Sequence, residues 1–149
     1  MAGRSGRGSQ KGEVILQTSL PSHPVIRYAA LQDFASFEKE ELAIRNMFLF
    51  PPYTHIIKLI CFSEDEEKTK KTLDMWTQAV HALLPSNYAC HPPTEAGHAK
   101  VKDVYRFQAL IRGPSVRLIT KALETVERSQ EFPSSVRRLV DVDPLSTFF

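Results

Sequence analysis

The sequence predicts an α+β protein that contains a ferredoxin-like split βαβ domain, with a four-stranded antiparallel sheet and two helices on one face. Three observations predict it. After residue 53 the segments alternate in the order strand, helix, strand, strand, helix, strand. Strand segments are short apolar or alternating runs, whereas helix segments carry apolar residues three or four positions apart. With 149 residues, of which 42% are hydrophobic, the chain can bury one ordinary core, or one core plus an appendage.

Before that domain the sequence predicts a strand from Val14 to Thr18 and a long helix. Pro24 suits the first helical position because proline has no N–H to leave unpaired there, and Ser22 or His23 is the expected cap. An apolar stripe follows at helical spacing, formed by Ala30, Phe34, Phe37, Ile44 and Phe48. Pro51 and Pro52 are expected to end this helix.

The first half of the domain begins with the nearly continuous apolar run from His55 to Phe62, which is typical of a central strand. A helix is predicted to start near Glu64 and to end before Pro85. Its buried face is predicted to hold Thr69, Leu73, Trp76, Val80 and Leu83. The segment from Tyr88 to Lys102 predicts a short edge strand followed by a loop, because prolines and a glycine interrupt it.

The second half of the domain begins with the clearly alternating strand from Val104 to Arg112. One face of this strand is predicted to enter the core and carries Tyr105, Phe107, Ala109 and Ile111, while the other carries Arg106, Gln108, Leu110 and Arg112. A helix with Leu118, Ile119, Ala122, Leu123 and Val126 on its apolar stripe follows Gly113 and Pro114. The last predicted strand runs from Val136 to Val142.

Charge and cysteine content limit the possible functions. The net charge is +2, and the first 12 residues contribute +3 through Arg4, Arg7 and Lys11, so the rest of the chain sums to −1. Nucleic-acid contact by the domain would therefore need a local cationic patch. The two distant cysteines, Cys61 and Cys90, predict thiols in a reducing compartment and no metal site. Because no apolar run approaches the roughly 18 residues of a membrane span, we expect a cytoplasmic protein.

The opening "GRSGRG" allows two interpretations from its residues alone. Arg4 and Arg7 would lie on one side of a helical turn, and the neighbouring glycines would allow close backbone approach to a phosphate. Taken alone, however, glycine and arginine at this spacing are more typical of a flexible basic tail.

The chain resembles the PriA family of primosomal replication-restart helicases, within helicase superfamily 2. Its opening is similar to helicase motif VI and the strand after it. Further similar stretches follow in the same order along the chain, namely "HPVI", "DFASFEKEELAIRNMFLFPPY", "VYRFQALIRGPS" and "VDVDPLS". The resemblance implies a C-terminal fragment that starts within motif VI, with Met1 standing where the family has a residue of the helicase domain.

The resemblance also implies a chemistry for the first arginines. In the family the motif VI arginines reach the terminal phosphates of the nucleotide, and Arg4 and Arg7 occupy the matching positions. Such arginines stabilise the charge that develops in phosphoryl transfer. No Gly-x-x-x-x-Gly-Lys-Ser/Thr motif occurs in the chain, so we expect it to hydrolyse no ATP and to need no cofactor by itself. ATP, Mg²⁺ and structural Zn²⁺ are expected in the parent ATP-dependent DNA helicase.

Three regions follow from the resemblance. Residues 1–20 would be a remnant of helicase lobe 2, residues 21–52 a connecting long helix, and residues 53–149 the C-terminal ferredoxin-like domain. The family implies that this domain helps to recognise stalled forks and to start primosome assembly. Its expected partners are single-stranded or forked DNA, the single-strand-binding protein and primosome proteins, with the chain itself a monomer and no membrane contact.

A DNA-binding surface is predicted on the sheet face that the helices leave open. Its candidate residues are Lys58, Lys100, Lys102, Arg106, Gln108 and Arg112. Cations and hydrogen-bond donors there would suit a sugar–phosphate backbone. A solvated or interdomain face explains the same residues, and Asp141 and Asp143 are expected to cap or pair with Arg137 or Arg138. The alternative to a helicase fragment is a free-standing ferredoxin-like RNA-binding or protein-interaction module with a basic N-terminal tail.

Overall fold

A computed structural model describes residues 14–101 and 103–147, without the side chains of residues 98–101. The motif VI positions Arg4 and Arg7 therefore lie outside the described residues, as does Lys102. The chain divides into two compact units between Ile44 and Arg45.

The helices of the described residues are α1 (Pro24–Leu31), α2 (Phe34–Met47), α3 (Glu66–His81) and α4 (Val116–Ser129). The strands are β1 (His55–Ser63), β2 (Ala89–Cys90), β3 (Thr94–Val101), β4 (Val104–Gly113) and β5 (Arg137–Val142).

The N-terminal unit differs from the sequence prediction in two places. Val14 to Thr18 is irregular, so no strand precedes α1 within the described residues. The predicted long helix is two helices, because Gln32 takes a left-handed conformation with φ of 55° and ends α1. Asp33 accepts the backbone N–H of Ser36 at 3.1 Å, which caps α2. The start of α1 follows the prediction, with Pro24 in its first turn and His23 as its cap.

The sheet of the second unit has the predicted split βαβ topology. Its strands are antiparallel in the order β2-β4-β1-β5, and β3 also pairs with β4. The fourth sheet position is therefore shared by β2 and β3, which Pro92 and Pro93 separate. The loop predicted up to Lys102 is wrong over Thr94–Val101, because these residues pair with β4 across a register shift between Glu95 and Lys100. Gly97 lies in this shift with φ of 54°, a conformation that glycine adopts without strain.

The core lies between the sheet and helices α3 and α4. Leu73, Trp76 and Val80 of α3 are buried there, as are Ile119 and Leu123 of α4. Each fully buried apolar side chain contributes about 1.5–3 kcal/mol relative to exposure. The predicted inner face of β4 is confirmed, since Phe107, Ala109 and Ile111 are buried and Tyr105 packs against them. Leu83 and Leu118 were predicted on the apolar stripes but are 52% and 45% exposed, respectively. Leu83 follows the end of α3 at His81, outside its stripe.

Candidate nucleic-acid interface

The sheet face opposite α3 and α4, here called the outer face, carries four of the predicted DNA-binding residues. The register of β1 and β4 sets Arg106 opposite Phe62, Gln108 opposite Ile60, and Arg112 opposite Ile56. On β1, Lys58 lies between Ile56 and Ile60 and is paired with Leu110 of β4. Because side chains alternate along a strand, all four candidates share this face. Lys100 belongs to β3 and pairs with Tyr105, but its side chain is outside the described part of the chain.

The centre of the outer face is covered, contrary to the expectation of an open sheet. Residues 144–147, here called the C-terminal segment, supply the acceptors for two of the candidates. Lys58 Nζ donates to the Ser146 carbonyl at 2.9 Å, and Gln108 Nε2 donates to the Thr147 carbonyl at 2.7 Å. Lys58 is only 1% exposed, and its Nζ lies 3.6 Å from Asp141 Oδ2. Neither residue can contact DNA unless the C-terminal segment moves away, so their binding role stays a prediction.

Arg112 is also engaged by its own chain. Its Nη1 donates to the Phe48 carbonyl at 2.9 Å, and its guanidinium carbon lies 5.4 Å from the centre of the Phe50 ring. This combination of a charge-assisted hydrogen bond and a cation–π contact fixes the residues after α2 to the sheet. Arg112 therefore has a structural role in addition to any contact with DNA.

Arg106 differs from the other candidates because it is exposed at one end of the outer face. Phe62 lies directly opposite it on β1, and Arg137 of β5 lies opposite Phe62 on the other side. Within the described residues, Arg106 and Arg137 have neither a hydrogen-bond partner nor an ion-pair partner for their side chains. This end of the face therefore presents two cations whose donors are available to a ligand.

A cleft of about 700 Å³ lies at this end of the sheet, here called the Phe62 cleft. Its lining includes Phe62, Arg106, Arg137, Lys68, Val104 and Ser135. Glu64 and Asp65 also line it, but the Asp65 carboxylate is directed to its own helix and accepts the Lys68 N–H at 2.9 Å. The sequence prediction missed Phe62 and Arg137 as site residues, because their position beside Arg106 depends on the strand order.

The acids of the last strand have partners other than those predicted. Asp143 Oδ2 lies 2.9 Å from His55 Nδ1, and its Oδ1 accepts the Ile56 N–H at 3.1 Å. Asp141 Oδ2 lies 3.6 Å from Lys58 Nζ.

Arg138, which the sequence predicted as a partner of these acids, instead contacts Glu127 at 2.5 Å and stacks on Phe132. The expectation of capping and ion pairing is confirmed for these acids, whereas Arg138 as their partner is wrong.

Replacement of Asp143 by asparagine should reduce stability in a pH-dependent way. Burial alone would raise the pKa of Asp143, but hydrogen bonds from His55 and Ile56 and the nearby His55 charge lower it overall. A lowered pKa stabilises the fold above the unfolded value of about 3.9, and that stabilisation is lost as the pH falls through the folded pKa. Because the Asp143 side chain is 44% exposed and its ion pair is screened by solvent, we expect a loss below about 1 kcal/mol at pH 7.

Thermal unfolding between pH 3 and pH 7 measures this effect. The difference between Asp143→Asn and the wild type should shrink as the pH falls through the lowered folded pKa of Asp143, because the wild-type carboxyl group is then protonated and, like the asparagine amide, uncharged. An equal difference at every pH would mean that shape, and not charge, makes residue 143 stabilising.

The cysteines are unsuited to nucleophilic chemistry. Both are free; burial raises the pKa of Cys61 to about 12 and that of Cys90 to about 11. Both thiols are therefore protonated near neutral pH. Across residues 14–101 and 103–147, no three His, Cys, Asp or Glu residues are grouped so as to hold a metal ion. None of the helices in these ranges is long and apolar enough to span a membrane.

A known protein family matches most of this chain, including all the strands of the sheet. The model of the primosomal protein N C-terminal domain matches residues 46–145. The chain therefore belongs to this family of C-terminal domains. The relatives that it resembles over nearly its whole length carry the name replication restart protein PriA.

Three of these relatives show the extent of the similarity. The PriA of Chlamydia trachomatis serovar D is 37% identical over 153 aligned positions, which cover 100% of this chain and 20% of that protein. The PriA of Synechocystis sp. is 36% identical and covers 98% of this chain and 17% of its own length. The PriA of Bacillus subtilis is 28% identical, with coverages of 97% and 18%. The chain thus spans about a fifth of the length of these relatives.

Proposed function

We propose that this chain is the DNA-binding and partner-binding C-terminal region of a replication-restart helicase, and that it helps to recognise stalled forks and to start primosome assembly. One observation carries the DNA-binding role. Arg106 and Arg137 flank Phe62 on an exposed end of the sheet, and neither side chain has an ion-pair partner in the described residues. Exposed arginines that line a cleft suit the phosphates of single-stranded or forked DNA.

Membership of the primosomal family supports the wider proposal. In the parent protein, Arg4 and Arg7 would contact the phosphates of ATP bound with Mg²⁺, and structural Zn²⁺ would lie in another region. The single-strand-binding protein and primosome proteins are the proposed protein partners. The division into residues 1–20, 21–52 and 53–149 remains part of this proposal.

A protein-interaction role has its own structural support. The described strands pair only one side of β5, which leaves it an edge of the sheet. Its side chains Leu139, Val140 and Val142 are 48%, 41% and 45% exposed. An exposed apolar edge strand is a common place for a partner to add a strand. We assign the protein partners of the proposal to this edge and DNA to the outer face.

Arg106→Ala and Arg137→Ala should each weaken DNA binding by a similar factor on different DNA sequences. Each substitution removes a phosphate contact and should lower the slope of log K against log salt by about 0.7 for single-stranded and about 0.9 for duplex DNA. Folding stability should change by less than about 0.5 kcal/mol, because both side chains are exposed. Fluorescence-anisotropy titrations of single-stranded and forked oligonucleotides at three salt concentrations measure the slopes.

Arg117→Ala is the matched control. Arg117 is exposed on α4, on the other side of the sheet, so its loss removes the same charge without touching the outer face. Equal reductions of the slope for Arg117→Ala and Arg106→Ala would show that net charge, and not this site, drives binding. Arg112→Ala is a poor test here because it also breaks the contacts with Phe48 and Phe50.

A further inference from the structure

Phe62 is placed differently from Trp76, Tyr88 and Phe107, which are buried in the core. It lies outside the buried core cluster, on the outer face, and it is partly exposed in the Phe62 cleft. Arg106 and Arg137 are its direct neighbours on the two adjacent strands. Since neighbouring strands are about 4.8 Å apart, the two arginine backbones flank the ring at a separation of roughly 10 Å. The arrangement is an aromatic residue with an arginine of the adjacent strand on either side, all three lining one cleft.

This arrangement of an aromatic residue between two arginines matches the repeating unit of a single-stranded nucleic acid. A single-stranded nucleic acid presents a flat base with a phosphate on either side along its backbone. An aromatic ring can stack on the base, while the long arginine side chains reach the phosphates. The cleft of about 700 Å³ lies within the roughly 300–1,000 Å³ range typical of small-molecule sites, so a nucleotide fits it in size.

We propose that Phe62 is a stacking platform for one unpaired base of DNA, with Arg106 and Arg137 binding the phosphates beside that base. This inference rests on the proposed function and adds a preference for single-stranded over duplex DNA. Bases in a duplex are already stacked on each other and are not available to Phe62. The arginines, in contrast, can contact the phosphates of either form.

The first test replaces Phe62 by leucine and by tyrosine in the full 149-residue chain. Phe62→Leu keeps an apolar side chain but removes the aromatic face, and it should weaken binding of a thymine oligonucleotide about tenfold. Binding of a duplex of equal length should change less than twofold. Phe62→Tyr keeps the ring and should retain single-strand affinity. Arg137→Ala should weaken the binding of both forms.

The second test observes stacking directly on the wild-type protein. A thymine oligonucleotide with one 2-aminopurine should lose fluorescence on binding, because stacking on an aromatic ring quenches this base analogue. Phe62→Leu at saturating concentration should restore that fluorescence. Thermal unfolding of both variants checks that their folds are intact.

The outcomes separate the two proposals. If the wild type binds both DNA forms with a steep salt dependence but Phe62→Leu changes neither affinity nor fluorescence, the stacking inference is wrong and the phosphate contacts remain. Equal weakening of single-stranded and duplex binding by Phe62→Leu would also overturn it. If the wild type binds no DNA at low salt, the DNA-binding function itself fails, and the Phe62 cleft would then belong to a different ligand.

Discussion

Replacement of Gly113 by alanine should destabilise the domain by about 2–3 kcal/mol. Gly113 ends β4, and a Cβ there would lie 2.8 Å from Cγ of Tyr88 and closer still to two other atoms of the ring. Tyr88 cannot move away easily, because it is 3% exposed within the core and its hydroxyl donates to the Ser115 carbonyl at 3.3 Å. Overpacking a site between a backbone and a buried ring therefore strains the junction of β4 and α4.

Thermal and urea unfolding measure this loss, and a double-mutant cycle with Tyr88→Ala identifies its cause. Removal of the ring opens the space that the new methyl group needs. Gly113→Ala should therefore cost less than about 0.5 kcal/mol in the Tyr88→Ala background. An equal cost in both backgrounds would mean that the backbone conformation of Gly113, and not the Tyr88 contact, requires glycine.

The sheet and core could be predicted because their signals are local. Alternation along residues 104–112 assigns Phe107 and Ile111 to one face, and burial of that face requires the helices to pack there.

The break of the predicted long helix was not evident from the sequence, because the apolar stripe continues past Gln32 and Asp33 at helical spacing. The Asp33 side chain caps a new helix by accepting the Ser36 N–H, which competes with continuation of the first helix, and the spacing of apolar residues does not reveal such a contact. The strand at Thr94–Val101 was missed for a similar reason, since its pairing depends on β4.

The candidate site was predicted only in part, because strand alternation gives the face of a residue but not what covers that face. Lys58, Gln108 and Arg106 were placed correctly on one side of the sheet. Their different surroundings come from chain segments far away in sequence. Ser146 and Thr147 cover the first two, whereas Arg106 stays exposed. The neighbours Phe62 and Arg137 become part of the same site only through the order of β4, β1 and β5.

Lys58→Ala should destabilise the domain by about 2–4 kcal/mol, much more than the loss of an exposed lysine. The substitution leaves a void in a nearly fully buried position and removes the donor to Ser146 and the partner of Asp141. Lys58→Met is the matched variant, because methionine fills most of the volume without the charge. It should cost only about 1–2 kcal/mol, which corresponds to the lost hydrogen bond and ion pair.

The same two variants test whether Lys58 anchors the C-terminal segment or binds DNA. Both should make residues 144–147 more accessible to limited proteolysis or hydrogen exchange, since each removes the donor that holds the Ser146 carbonyl. In the covered state Lys58 contacts no phosphate, so Lys58→Met should leave the salt dependence of DNA binding unchanged. A slope that falls by about 0.7–0.9, with stability preserved, would instead show that the segment leaves the sheet when DNA binds and that Lys58 then contacts the backbone.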